Sequence, residues 1–313
     1  MEFRKLDETK VLKDPVHSYI HINYEVVWQC IDSKEFQRLR RIRQLGGDFQ
    51  VYPTAEHSRF SHSLGVYEIV RRMVTEIKSL SNELSEYDKV SVMLAGLLHD
   101  VGHGPFSHAF EHVTNHSHED YTVKIILGNT ELNAVLSKVS KNLPHDIVAI
   151  IQHTHKNDIL NQIVSGQLDA DRMDYLLRDS YFTATSYGQF DLERILRTMR
   201  VRKIDDDKKQ LVVKYTGIHS VEDYIMARYQ MYWQVYYHPV ARSYETVFIQ
   251  LFKRLNDIFK VNKDYFSDIK VLVPFLEKSE VTVEEYFRLD ENLLLYCCTL
   301  IQEKDDKIAA DLA

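Results

Sequence analysis

The segment His99-Asp100-Val101-Gly102-His103-Gly104-Pro105-Phe106-Ser107-His108 is the part of the sequence that most constrains the fold. It follows residues 87–98, whose continuous apolar character predicts a buried helix that ends at His99-Asp100. The two glycines and the proline that come next predict a sharp stop to that helix. A polar turn held in place by a buried helix is a favoured position for binding or catalytic residues.

Histidine is concentrated around this turn. Six of the 15 histidines lie among the 20 residues from His99 to His118, where an even distribution would place about one. Neutral imidazole binds metal ions and exchanges protons near neutral pH, so this density indicates a site of chemistry. The alternative is a polar turn that carries surface histidines.

A metal ion at this turn would need ligands from other segments, because successive residues of a helix diverge by about 100°. The sequence offers His62 and the acidic stretch of residues 169–179, in which Asp171 is the predicted ligand. Asp174 and Arg178 are instead interpreted as a salt bridge on a helix face, since they are four residues apart. A shell of imidazole and carboxylate suits Fe, Mn, Zn or a Mg-assisted site and excludes metals selected by thiolates.

Length and composition indicate a globular protein. The chain has 313 residues, of which 44% are hydrophobic and 27% charged, and its net charge of −7 argues against a nucleic-acid coat or a membrane-surface protein. No apolar run approaches the ~18–20 residues of a membrane span. The three cysteines form no disulfide framework and the first residues do not resemble a secretory signal, so we expect a cytoplasmic location.

The pattern of the whole chain predicts a mainly α fold, because only 10 glycines and 6 prolines interrupt it. Two exceptions are an extended segment or small hairpin over residues 11–22 and a hairpin within residues 199–215. A long helical pattern over 219–260 is expected to kink before Pro239. We treat residues 1–313 as a single domain, with a core of about 10–200, a hairpin of about 200–216 and a long helical part, 217–313. The sequence ends without a helix cap, which suggests truncation at the C-terminus.

The order of His62, His99-Asp100 and Asp171 resembles the metal signature of the HD-domain phosphohydrolases. Longer motifs resemble the dNTP triphosphohydrolase branch, which includes the animal enzyme with SAM and HD domains and its bacterial relatives. They are QRLRRIRQLG (37–46), EHSRFSHSLGV (56–66), the segment 99–108 and DRMDY (171–175). The resemblance runs from about residue 10 to about 260 and includes no SAM domain, so a bacterial-type relative is expected.

The resemblance implies an HD-domain helical core and a metal-dependent reaction. In it, a dNTP is hydrolysed at the α-phosphorus to a deoxynucleoside and triphosphate. His62, His99, Asp100 and Asp171 would bind one transition-type divalent metal (Fe, Mn, Zn or Ni), and Mg²⁺ would accompany the substrate. The implied catalytic residues are His108 as proton donor, Glu111 as the group that orients it, and His103 and His118 at the α-phosphate.

The resemblance also assigns substrate contacts. Arg59, Arg172 and Arg228 would bind the triphosphate, and the residues implied for the nucleoside are Gln44, Leu45, Tyr175, Asp179 and Tyr236. Gln44 and Asp179 would contact the 3′-hydroxyl, while Leu45 and Tyr175 would pack on the sugar and exclude a 2′-hydroxyl. From spacing alone, Leu45 and Tyr175 read as core residues.

Family relatives assemble as dimers of dimers whose interfaces hold activating nucleotides. The resemblance therefore implies a homo-oligomer, a dimer or tetramer, and a guanine nucleotide activator at Lys10, Val11, Asp32, Gln37 and Arg40. Two other functions remain open. One is another HD phosphohydrolase activity, such as a nucleotide phosphatase or phosphodiesterase; the other is a non-catalytic sensor of nucleotides or nucleic acid, although nucleic acid is not the favoured partner.

Overall fold

The computed structural model describes residues 3–114, 116–205, 208–277 and 281–313. Helices dominate these residues, and the prediction of a mainly α fold is confirmed. Two antiparallel hairpins interrupt the helices: β1 (Lys5–Asp14) with β2 (Ser18–Tyr24), and β3 (Met199–Asp205) with β4 (Lys208–Val213). Both correspond to predicted hairpins, the first being longer at its N-terminal end than the predicted 11–22.

The first part of the chain forms a helical core. Its helices are α1 (Glu25–Asp32), α2 (Lys34–Arg38), α3 (Arg59–Glu76), α4 (Lys78–Glu83), α5 (Glu86–Leu98), α6 (Ser107–Thr114), α7 (His118–Leu127), α8 (Glu131–Val139), α9 (Leu143–Ile151), α10 (Asp158–Val164), α11 (Ala170–Phe182) and α12 (Leu192–Thr198). The sequence pattern predicts helices over 87–99, 118–127, 144–153, 170–179 and 191–199. They correspond to α5, α7, α9, α11 and α12, respectively, to within a few residues.

Helix α3 packs against both α5 and α11 at the centre of the core. Helix α5 begins with a capping box between Ser85 and Asp88, which satisfies backbone N–H groups at its start. Every residue of α5 from Val90 to Leu98 is buried, because the helix is apolar on all sides and is covered by α3, α9 and α10.

The turn after α5 is covered by α7. A Cβ atom at Gly102 would lie 2.3 Å from the backbone nitrogen of Thr122 and 2.3 Å from the carbonyl oxygen of His118. Only glycine permits this close approach of the two backbones. The stop that the glycines predict is therefore also a packing contact, and it places His118 beside the end of α5.

The second part of the chain adds α13 (Ile218–Met231), α14 (Pro239–Val261), α15 (Val273–Leu276), α16 (Val283–Arg288), α17 (Glu291–Gln302) and α18 (Lys307–Leu312). A π-helical turn, Tyr232–Tyr236, joins α13 to α14, and Pro239 is the first residue of α14. The predicted kink before this proline is confirmed. None of the described helices is long and apolar enough to cross a membrane.

Candidate metal centre and active site

Three helices bring the four predicted metal ligands together. His62 lies in the first turns of α3, His99 and Asp100 follow the end of α5, and Asp171 lies in the first turn of α11. The Nε2 atom of His62 is 3.0 Å from Oδ1 of Asp171 and 3.8 Å from Oδ2 of Asp100. The Nε2 atom of His99 is 3.3 Å from Asp100 and 3.5 Å from Asp171.

Both histidines turn their Nε2 atoms into this cluster because their Nδ1 atoms are already engaged. Nδ1 of His99 donates to the carbonyl oxygen of Gly96 at 2.9 Å, and Nδ1 of His62 donates to Asp174 at 2.8 Å. Nε2 of His99 is buried and has no hydrogen-bond partner among the residues that the structure describes. A divalent cation would satisfy that nitrogen, so the four residues fit a metal ion with mixed nitrogen and oxygen ligands.

The electrostatics of the cluster favour a cation. Burial would raise the pKa of Asp100, but the charges of His99 and Arg59 hold it well below its usual range. Burial likewise opposes ionisation of Asp171, but a hydrogen bond from His62 and the nearby imidazole of His99 hold its pKa low. Two ionised carboxylates in a nearly dry site attract positive charge strongly. The pKa of His62 shows this field: burial lowers it, but bonds with Asp171 and Asp174 raise it to about 10.

Asp100 and Asp171 form part of the wall of a cavity of about 450 Å³. The cavity lies between the core and the start of α14. Its other lining residues are Gln44, Leu45, Gly46, Asp48, Arg59, His103, Phe106, Ser107, His118, Tyr175, Asp179, Tyr232, Tyr236, Tyr237, Arg242 and Glu245. The size and the mixture of aromatic, cationic and carboxylate side chains suit a small polar ligand with a ring and an anionic group.

Arg59 links the metal cluster to the cavity. Its guanidinium group forms a short ion pair with Asp100 and donates to the Ser107 hydroxyl at 2.7 Å, and its side chain is 7% exposed. Phe106 and Ser107 both have positive φ angles, 52° and 46°. Such backbone strain in non-glycine residues occurs mostly at functional sites, where the surrounding structure holds it.

Two of the predicted catalytic histidines lie in the cavity wall. The rings of His103 and His118 stack with their centroids 3.8 Å apart. Glu111 accepts a short hydrogen bond from Nδ1 of His118 and a 3.0 Å bond from its backbone nitrogen. The structure thus pairs Glu111 with His118, whereas the sequence prediction pairs it with His108, whose side chain lies outside the described residues.

The residues predicted for the nucleoside also meet in the cavity. Asp179 accepts from Tyr236 at 2.8 Å, and the ring of Tyr236 lies edge-on to that of Tyr175, with centroids 6.1 Å apart. Leu45 is 8% exposed and Tyr175 is half-buried. Both therefore pack on the core, as their spacing indicates, and also line the cavity.

Two residues predicted to contact the phosphates, Arg172 and Arg228, do not line the main cavity, and their predicted role stays a prediction. The guanidinium group of Arg172 makes short bonds to Asp169 and to the carbonyl oxygen of Gly166, and its side chain lines a different cavity beside β4. Arg228 is half-buried, with its guanidinium 5.8 Å from the ring centre of Tyr232, outside the lining of the main cavity. For Arg172 the reason is local, because Asp169 is the N-cap of α11 and binds the guanidinium group of this arginine three residues later.

The five residues predicted to bind an activator lie on the surface near β1, α1 and α2. The Nζ atom of Lys10 lies 4.1 Å from the ring centre of Trp28. Trp28 is on α1, one helical turn before the exposed Asp32. Val11 is 52% exposed. Gln37 accepts from Nε of Arg40 at 2.8 Å, so these two side chains are ordered by each other. The predicted role of the five residues stays a prediction.

Sequence reasoning missed four buried polar residues around the site. The predicted salt bridge between Asp174 and Arg178 forms, but both side chains are buried, and Asp174 also bonds His62. His57 donates from Nε2 to Asp179 at 2.7 Å and stacks on a phenylalanine ring. Burial, followed by the charge of Asp179, raises the pKa of Asp48 to about 7. His17, in the turn between β1 and β2, contacts Asp174. Sequence spacing carries no signal for these long-range pairs.

Residues 59–179 match the HD domain family, and residues 190–306 match the HD associated region. The uncharacterized protein YwfO of Bacillus subtilis is 49% identical over 309 residues, covering 98% of this chain and 70% of that protein. The deoxynucleoside triphosphate triphosphohydrolase SAMHD1 homolog of Dictyostelium discoideum is 28% identical, covering 100% of this chain and 66% of that protein.

The fold has a close counterpart among solved structures. The crystal structure of a phosphohydrolase from Bacteroides thetaiotaomicron superposes with a TM-score of 0.84 at 30% identity, covering 97% of this chain and 75% of that one. The HD match includes all four residues of the metal cluster, since it begins at Arg59 and ends at Asp179. The chain therefore belongs to the HD-domain phosphohydrolase family, in the group whose HD domain is followed by an HD-associated region.

Proposed function

We propose that the protein is a metal-dependent triphosphohydrolase that converts a dNTP into a deoxynucleoside and triphosphate. The observation that carries the proposal is the cavity, whose wall holds two carboxylates of the metal cluster beside Arg59 and the nucleoside set of Leu45 and Tyr175. The cavity therefore offers a cationic group for an anion and an apolar surface for a ring next to the predicted metal ligands, which supports the proposal. A nucleoside triphosphate has the same order of parts.

A divalent metal held by His62, His99, Asp100 and Asp171 would supply an activated water and would neutralise charge on the phosphate. Fe, Mn, Zn and Ni all suit the donor set, and Mg²⁺ would enter with the triphosphate. Arg59, held by Asp100 and Ser107, supports an anion at the cavity wall. This arrangement fixes the charged end of the ligand at the metal cluster.

Proton transfer to the leaving 5′-oxygen requires an acid near the cluster. We assign this step to His108, which the family resemblance implies, and its side chain lies outside the described residues. Among the described residues, His118 is the second candidate, because Glu111 holds its Nδ1 atom and thereby fixes the ring in the cavity wall. Nε2 of His118 is then the nitrogen that exchanges a proton with a ligand.

Selection of deoxyribose follows from the apolar contact. A 2′-hydroxyl placed against Leu45 would lose its hydrogen bonds to water without gaining a partner, which penalises ribonucleotides. Asp179, held from two sides by His57 and Tyr236, is positioned to accept from the 3′-hydroxyl. We also propose that a guanine nucleotide at the surface of Lys10, Asp32 and Arg40 activates a homo-oligomer, a dimer or tetramer of this chain.

Product analysis tests the proposed reaction. The protein is incubated with each dNTP and Mn²⁺ or Mg²⁺, with and without GTP, and the products are separated by anion exchange. We expect a deoxynucleoside and intact triphosphate, and none from Asp100→Ala, which should also lose bound metal in elemental analysis. Release of orthophosphate would instead indicate a nucleotide phosphatase, and binding without turnover would indicate a sensor.

A further inference from the structure

We propose that His17, on the turn between β1 and β2, is a positioning residue for the metal ligand His62 and acts through the carboxylate of Asp174. Nε2 of His17 is 2.6 Å from Oδ1 of Asp174, and Oδ2 of Asp174 is 2.8 Å from Nδ1 of His62. The three side chains are 4%, 0% and 1% exposed. The inference rests on the metal centre of the proposed function and extends it to a hairpin that is distant in sequence.

The direction of both hydrogen bonds follows from the charge of Asp174. Arg178 pairs with both oxygens of this carboxylate, with bonds of 2.8 Å from Nε to Oδ2 and 3.0 Å from NH2 to Oδ1. An ionised carboxylate only accepts, so His17 donates from Nε2 and His62 donates from Nδ1. The lone pair of His62 Nε2 then faces the metal cluster. Donation to a carboxylate fixes the ring of a metal-binding histidine and makes it more basic.

The turn that carries His17 is itself held firmly. Asp14 accepts from the backbone nitrogens of Val16 and His17, both at 2.9 Å, and from NH1 of Arg178 at 2.8 Å. Arg178 therefore bridges the carboxylate that shapes the turn and the carboxylate that His17 contacts. Without His17, Oδ1 of Asp174 would keep one hydrogen bond, from NH2 of Arg178, and Arg178 alone would oppose a shift of the carboxylate and of the His62 ring bonded to it.

A purely structural role for His17 makes a different prediction. The hairpin has other contacts with α3: the backbone nitrogen of His21 donates to Glu68 at 2.9 Å, and the hydroxyl of Tyr67 donates to the carbonyl oxygen of His21 at 3.0 Å. These would keep the hairpin in place if His17 were replaced. Loss of packing alone would lower stability and leave metal affinity unchanged, whereas a positioning role changes metal affinity.

The test compares side chains of similar size in the full chain. His17→Gln retains an N–H donor near the position of Nε2, and His17→Met has similar length without a donor. His21→Met is the matched control, because His21 lies on the same hairpin and contacts a carboxylate of α3, at 3.2 Å, that does not touch a metal ligand. Each protein is stripped with a chelator and titrated with Mn²⁺ alone, and free Mn²⁺ is counted by electron paramagnetic resonance.

We expect His17→Met to bind Mn²⁺ about 10–100-fold more weakly than the wild type, which is the usual effect of removing such an outer partner. His17→Gln should recover most of the affinity and His21→Met should match the wild type. If His17→Met bound Mn²⁺ as tightly as the wild type, or if His21→Met lost as much Mn²⁺ affinity as His17→Met, the inference about His17 would be wrong. Neither result would contradict the proposed reaction. A wild type without Mn²⁺ binding would overturn both. If His17→Met does not fold, His17→Asn, too short to reach Asp174, replaces it with the same expected loss.

Discussion

Replacing Gly65 by alanine tests how tightly the metal centre depends on its buried support. Gly65 lies on α3, one turn after His62, and α11 packs directly on it. A Cβ atom there would lie 1.9 Å from Oδ1 of Asp174 and 2.4 Å from NH2 of Arg178, whereas ordinary contact begins at 3.4 Å. The methyl group must therefore displace the carboxylate that orients His62.

The expected cost combines three effects. Overpacking a well-packed site costs about 1–3 kcal/mol. A weakened hydrogen bond to a buried charge adds about 1.5–3 kcal/mol, and the better helix propensity of alanine returns about 1 kcal/mol. We expect Gly65→Ala to lower the free energy of unfolding by about 1.5–5 kcal/mol in urea titrations of the metal-free protein. It should also weaken Mn²⁺ binding about 10–100-fold.

Gly96→Ala is the matched control, because it makes the same change in the interior of the neighbouring helix α5 and keeps the backbone carbonyl that accepts from Nδ1 of His99. Its Cβ would lie 2.9 Å from Cγ2 of Val70 and 3.4 Å from Cγ1 of Val66, so its nearest neighbours are apolar atoms. This variant should lose about 0–2 kcal/mol of stability, since the helix propensity of alanine offsets part of the overpacking, and should keep its affinity for Mn²⁺. Unchanged stability in Gly65→Ala, or the same Mn²⁺ affinity in the two variants, would contradict the reasoning.

Three further variants test the cavity and the surface site. Leu45→Ala should reduce the preference for dNTP over rNTP about tenfold, measured as the ratio of kcat/KM values, and an unchanged ratio would make Leu45 a core residue only. Asp48→Asn should unfold at higher urea than the wild type at pH 8 and at similar urea at pH 4. The reason is that the pKa of Asp48 is raised to about 7 in the fold, so its protonated form contributes stability below about pH 4 that is lost as the pH rises through 7. Equal pH dependence of the two proteins would refute this. Asp32→Ala should abolish activation of dTTP hydrolysis by GTP while its bound metal, measured by elemental analysis, stays as in the wild type; retained activation would reject the surface site.

Local patterns in the sequence are sufficient for the helices and the hairpins. The apolar run of residues 87–98 predicts α5 because a buried helix needs a continuous apolar surface, and the glycines after it predict the turn. The density of histidines predicts a site at that turn for the same local reason. Burial in the structure confirms that Leu45 belongs to the core. Its second position, in the cavity wall, depends on α14, which forms the opposite part of that wall.

Long-range contacts set the limit of this reasoning. Asp174 and Arg178 have the same four-residue spacing whether their helix face meets water or protein, and only the packing of the β1–β2 hairpin and α3 makes them buried. The side chain of Arg172 likewise lies beside β4 because Asp169 and the carbonyl oxygen of Gly166 accept from its guanidinium group, which its position in the sequence does not reveal.

Composition, periodicity and the spacing of histidines and aspartates determine the helical class, the two hairpins and the residue types of the metal cluster, because each depends on neighbours along the chain. The three-dimensional packing alone decides which polar side chains share a buried space. His17 and Asp174 are 157 positions apart, and His62 and Asp174 are 112 apart, yet they form one hydrogen-bonded chain. Such contacts arise because the buried carboxylate must find donors wherever the fold brings them, and a linear pattern does not contain that information.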